Sequence, residues 1–184
     1  MMATTHVFAG LALVAPVAAA VPTLSTPLAV GAIVGGLAPD LDLVLEHRRS
    51  LHFPVAGLPV AAVAVGAAVV VPSSPVVAVA AAVVAAWLHA ASDVLGDGPE
   101  MDPWTDAGDR AVYDHVRSRW LRPRRWVRYD GAPEDGVLAL ALAVPALLVF
   151  EGWVVSAIAG CLAVSLGYVL VRRRLVAWLP DWLE

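Results

Sequence analysis

"VVAVAAAVVAAWLHAASDVLG", residues 76–96, is apolar over its first thirteen positions and then presents His89 and Asp93 four residues apart. A helix that crosses a bilayer needs about 20 predominantly apolar residues, and this stretch supplies them. The two polar side chains at its end share one helix face, one turn apart. Ionisable groups on a membrane helix are costly and by default mark function.

The rest of the chain has the same character. Hydrophobic residues make up 60% and charged residues 15% of the 184 positions, and mean hydropathy is +0.76. An average globular domain is about 45–50% apolar. Further apolar stretches lie at 7–22, 28–39, 54–71, 137–150 and 153–171, of which 28–39 and 137–150 are short for a full span. The chain therefore reads as an all-α, polytopic integral membrane protein with five or six membrane helices, one of them a half-helix, in a single membrane domain over 1–184. A polar segment at 97–136 separates the fourth and fifth stretches. Gly and Ala within the apolar stretches let helices approach closely.

All twelve positive charges are arginine. They fall in the 40–53 loop, in the 97–136 segment and after the last apolar stretch, at Arg172, Arg173 and Arg174, whereas the turns at 22–27, 72–75 and 151–152 contain none. Six segments place every arginine-bearing region on one face, which the positive-inside rule makes cytoplasmic. Both termini and the polar residues of interest then share that face of the cell membrane. His6 precedes the first stretch, Asp40, Asp42, His47 and His52 follow the second, and His89 and Asp93 end the fourth.

The single cysteine, Cys161, excludes a thiolate zinc site. Several histidines and aspartates without cysteine fit a catalytic ion of the zinc type, or manganese given the carboxylates, in one or more copies. In "PDLD" (39–42) the aspartates are two apart and point to opposite sides, so that one can bind metal while the other orients a ligand. "HRRSLH" (47–52) adds two imidazoles, His47 and His52, and two guanidiniums, Arg48 and Arg49. Arginine interleaved with Trp120, Trp126 and Tyr129 reads as a headgroup-binding belt. With a net charge of −4, membrane lipids rather than nucleic acid are the expected partners. The 107–121 stretch is read as a helix with its apolar residues on one side, bearing His115 as a surface histidine that can cover the site. Trp178 and Trp182 read as an interfacial tail.

Thr5-His6, Pro39-Asp40-Leu41-Asp42, His47 to His52, His89 to Asp93 and Pro103-Trp104 together resemble the YdjM-like family of membrane-bound metal-dependent hydrolases, over roughly residues 5–150. That family's HRG-x-TH-S segment is HRRSLHFP here, with Arg49, Leu51 and Phe53 replacing Gly, Thr and Ser. The resemblance implies phosphoester hydrolysis by a metal-activated water, as in the distantly similar zinc-dependent phospholipases C and single-strand nucleases, and adds an acidic residue, Glu134 or Asp135. His6, Asp40, His52, His89 and Asp93 are expected to ligate the metal. Asp42 and His47 are further ligands or hold the ligands in place, and Asp42, His47 and Arg48 form the catalytic group. A lipid phosphoester suits a site at headgroup level. The alternative is a divalent-metal transporter or a metal-binding membrane protein without hydrolase activity. Against transport stand the ligands' clustering at one face and the lack of an internal repeat.

Overall fold

A computed structural model describes residues 1–105 and 107–178; Asp106 and Trp182 lie outside the described residues. Among the described residues, six helices form one bundle: α1 (Ala3–Ala20), α2 (Ser25–Leu37), α3 (Gly57–Val70), α4 (Ser74–Ser92), α5 (Pro133–Val149) and α6 (Trp153–Val176). Four segments are long and apolar enough to cross a membrane: Ala3–Ala20, Pro22–Val44, Ser74–Leu95 and Trp153–Val176. The second stretch gains its length from 3-10 turns at Pro22–Leu24 and Ala38–Val44 on either side of α2. The third gives a shorter apolar helix, Gly57–Val70, which starts after a turn at 53–56 in which Gly57 N donates to the Phe53 carbonyl at 2.9 Å.

The middle of the bundle is built from small residues. Gly31 and Gly35 of α2 lie against the backbone of Ala78 and Ala82 of α4, so close that a Cβ at Gly35 would overlap the Ala82 carbonyl. This is the small-xxx-small contact that lets membrane helices touch backbone to backbone. Helix α1 packs on α2, α4 and α5 and also reaches α6, and Phe8, Leu11 and Ile158 are among its fully buried contacts in the core. Helices α3 and α6 are peripheral: Ala61 is the one residue of α3 buried among those described, and only 17% of the most apolar window of α6 is buried.

The 107–121 stretch is not helical. Tyr113–Asp114 pairs antiparallel with Arg119–Trp120. The Asp114 carboxylate accepts the amides of Val116 (3.0 Å) and Arg117 (3.2 Å) and binds the Arg117 guanidinium. An aspartate that satisfies the amides two and three residues on favours a turn over a helix. Tyr113 and Trp120 then meet edge to face across the pair. His115 sits at the tip, its Nε2 2.8 Å from the Arg49 carbonyl and its ring stacked on Phe53, outside the histidine–aspartate cluster. It ties the hairpin to the 49–53 loop.

Candidate metal centre

Every helix except α3 and α6 brings its site-bearing end to one place. Helix α1 delivers His6 in its first turn, the 3-10 turn after α2 delivers Asp40 and Asp42, the loop before α3 delivers His52, and α4 ends on His89 and Asp93. Helix α5 contributes Asp135, whose Oδ2 accepts the Met2 amide at 2.7 Å and the Gly131 amide at 3.0 Å while Oδ1 accepts the Thr5 hydroxyl at 2.7 Å. Asp135 thus satisfies donors at the open start of α1 and fixes the residue next to His6. Its carboxylate is fully used there, and Glu134 is engaged by Arg128, so neither enters the cluster.

At the centre is Asp93, 1% exposed. Its Oδ1 is 3.1 Å from His6 Nε2, and its Oδ2 is 3.2 Å from His52 Nε2 and 3.5 Å from His89 Nε2. Asp40 Oδ1 completes the ring at 3.3 Å from His89 Nε2 and 3.9 Å from His52 Nε2. The Met1 amino group lies 3.7 Å from Asp93 Oδ1. Among the described residues, the buried Nε2 atoms of His6, His52 and His89 have no hydrogen-bond partner, despite these short approaches. Ligands on one tetrahedral ion with bonds of about 2.0–2.1 Å are separated by about 3.3 Å, and the approaches here run from 3.1 to 3.9 Å.

The other ring nitrogens are all committed. His6 Nδ1 meets Ser92 Oγ at 3.2 Å, His89 Nδ1 meets the Gly36 carbonyl at 2.7 Å, and His52 Nδ1 meets Asp42 Oδ2 at 2.9 Å. A histidine that ligates a metal usually donates its second N–H in this way, which fixes ring orientation and tautomer. The donor set therefore fits a divalent ion: the buried group His6, His89, Asp93 and the group Asp40, His52, His89, in which only Asp40 is partly exposed, can each hold one.

Asp42 faces away from the ring of ligands. Fully buried, it accepts from His47 Nδ1 (2.8 Å), His52 Nδ1 and the Leu51 amide (3.1 Å). It shapes the whole 47–52 loop from one carboxylate. Burial lowers the pKa of His47, against the opposing pull of Asp42. Arg48 adopts φ 59° and aims inward, its guanidinium donating to the Asp97 carbonyl; Nε has no partner among the described residues. Arg49 turns outward to Glu46.

Ser92 and Gly36 carry no mark in the sequence that singles them out. Ser92 follows the i+3 spacing from His89, and Gly36 sits four residues before Asp40; only the packing of α4 against α1 makes Ser92 a partner of His6, and against α2 makes Gly36 a partner of His89.

A cleft of about 660 Å³ opens beside the cluster, with Asp40, His47, Arg48 and Asp93 on one wall and α6 on the other. Asp40, with its side chain 23% exposed, is the ligand most open to it. Compared with family models, with curated proteins and with solved structures, the chain matches none.

Proposed function

We propose that this chain is a membrane-embedded, metal-dependent hydrolase that cleaves phosphoesters at the membrane surface. The observation that carries the reading is the convergence of three buried, partnerless imidazole nitrogens on two carboxylates, Asp40 and Asp93, that line a cleft. His6, Asp40, His52, His89 and Asp93 hold the ion, zinc in preference to manganese because three imidazoles dominate the donors. Bound there, such an ion supplies Lewis acidity toward a phosphoryl oxygen and hydroxide near neutral pH.

The protein's own groups supply the rest. Asp40, a carboxylate open to the cleft, takes the proton of the attacking water. Arg48, whose guanidinium lines the same wall, attracts the phosphoryl anion, and its fixed tether to Asp97 keeps the charge from swinging away. Asp42 and His47 act as positioning residues through His52 and the loop. The motif resemblance to the YdjM-like hydrolases supports the same activity. All twelve arginines lie in the loops and helix end on the cluster's side of the bundle, which supports a cytoplasmic orientation in the cell membrane by the positive-inside rule.

The test is elemental analysis and phosphodiester turnover on detergent-purified protein, beside His89→Ala combined with Asp93→Ala. Stoichiometric zinc and metal-dependent release of product in the wild type, both lost in the double variant, is the expected result. Metal without turnover on any phosphoester favours a transporter or sensor instead; no metal in the wild type, even after adding zinc or manganese, overturns the site.

A further inference from the structure

We propose that the cleft beside the metal cluster is the seat of an acyl chain, so that the substrate is a membrane lipid carrying a phosphoester, which enters sideways from the bilayer. The inference rests on the hydrolase reading for the reaction, but not for the binding.

The cleft combines two chemistries. Asp40, Asp93 and Arg48 line it beside the cluster, and it is also lined by Leu43, Met101, Val164 and Leu175, from Leu43 in the same 3-10 turn as Asp40 to Val164 midway along α6. These four are exposed large hydrophobics, Leu43 at 69% and Val164 at 64%. Val164 lies midway along α6 and Leu175 within its last turn, so the apolar wall runs lengthwise on a helix of 24 residues that is long enough to cross a membrane and little buried by its own protein. A soluble phosphoester needs only the polar part. An apolar wall that starts beside a ligand carboxylate and continues along a membrane helix fits a molecule whose tail stays in hydrocarbon while its head reaches the cluster.

The rim of the cleft reinforces this direction of entry. Arg172, 5% exposed, is held by Asp130 (2.8 Å) and the Met101 carbonyl (2.8 Å). Its guanidinium and that of Arg173 each lie 5.3 Å from the centre of the Trp104 ring. Cations stacked on aromatic rings at the end of a membrane helix sit where anionic headgroups lie. They define the level at which the phosphate of such a lipid travels, while the tail below it meets Val164.

The experiment is photo-crosslinking of the zinc-loaded, detergent-purified full chain with phosphatidic acid bearing a diazirine in one acyl chain, followed by peptide mapping. Adducts are expected on Met101, Val164 and Leu175, and excess unlabelled phosphatidic acid should displace them while glycerol phosphate does not. Val164→Trp fills the wall and should lower the displaceable adducts by about tenfold, the loss of roughly two buried methylene contacts. Its zinc content reports that the fold and cluster are intact, and Val63→Trp on the lipid-exposed side of α3 should change nothing. Adducts spread evenly over α3 and α6, or adducts that unlabelled lipid fails to displace, overturn the proposal. Displaceable adducts without any hydrolysis leave the lipid seat standing and remove the enzymatic reading; turnover of a soluble phosphodiester without a lipid seat does the reverse.

Discussion

The two ends of the bundle are built on different principles. At one end the helices meet in plain turns: 21–24, 71–73 and 150–152 contain one charged residue, Glu151, and close the chain with backbone hydrogen bonds alone, such as Val71 N to the Ala67 carbonyl at 2.8 Å. At the other end, Thr5, His6, Asp42, His52, His89, Asp93 and Asp135 are nearly or fully buried. Apolar packing of Ala and Val can hold helices together at either end, but it discriminates poorly between neighbouring registers. A buried polar group left unpaired costs about 1–3 kcal/mol, so the polar end fixes the relative height of the helices and the plain end follows.

That contrast is broken most severely by forcing α2 off α4. Gly35→Val puts a branched side chain into the Ala82 backbone. The cost should exceed the ~1–3 kcal/mol of ordinary overpacking, and bound zinc should fall to background by elemental analysis although no ligand has been changed. Glu151→Gln at the plain end should leave zinc content and thermal midpoint as in the wild type. A Gly35→Val protein that still binds zinc stoichiometrically would show that the cluster does not depend on this contact.

A milder change sharpens the roles within the polar end. Asp42→Ala removes the acceptor for two histidines and two amides but none of the five converging ligands. Losing a group that orients a ligand typically weakens metal affinity about 10–100-fold, so competition with a zinc chelator should show weakened rather than abolished binding. Complete loss would make Asp42 itself a ligand.

The smallest effect belongs to the hairpin. Burial raises the pKa of Asp114, but the Arg117 guanidinium and the two amides it accepts outweigh this and leave the value lowered. A carboxyl whose pKa is depressed on folding contributes stability that is present above its unfolded value, about 3.9, and lost as pH falls through the folded one. Asp114→Asn should therefore lower the thermal midpoint slightly at pH 7, by the equivalent of about 1 kcal/mol, with the gap to wild type closing below about pH 4. An undiminished gap in acid would mean that the turn does not depend on the charge.

The helical class was legible because hydropathy alone separates a membrane chain from a globular one, and six apolar stretches correspond to six helices. The convergence of His6, Asp40, His52, His89 and Asp93 at one end could be anticipated by counting crossings, since an even number of segments returns each loop to its own side. The hairpin could not: Ala111, Val112, His115 and Val116 have helical spacing, and the deciding interaction is one carboxylate, that of Asp114, turning back on its own amides. Nor could the competition for Asp135 be read, because Thr5 and the Met2 amide are about 130 residues away in sequence. Arg48 and Arg49 are equivalent as letters, yet one is drawn inward by the Asp97 carbonyl and the other outward by Glu46.

The grip of Asp135 on the start of α1 has a consequence for biosynthesis. All five converging residues lie within 6–93, so every one of these donors precedes the fifth helix in the chain. The carboxylate that settles the start of α1 beside His6 comes some forty residues later. A chain stalled before the fifth helix would therefore carry the candidate ligands without the carboxylate that seats the first of them.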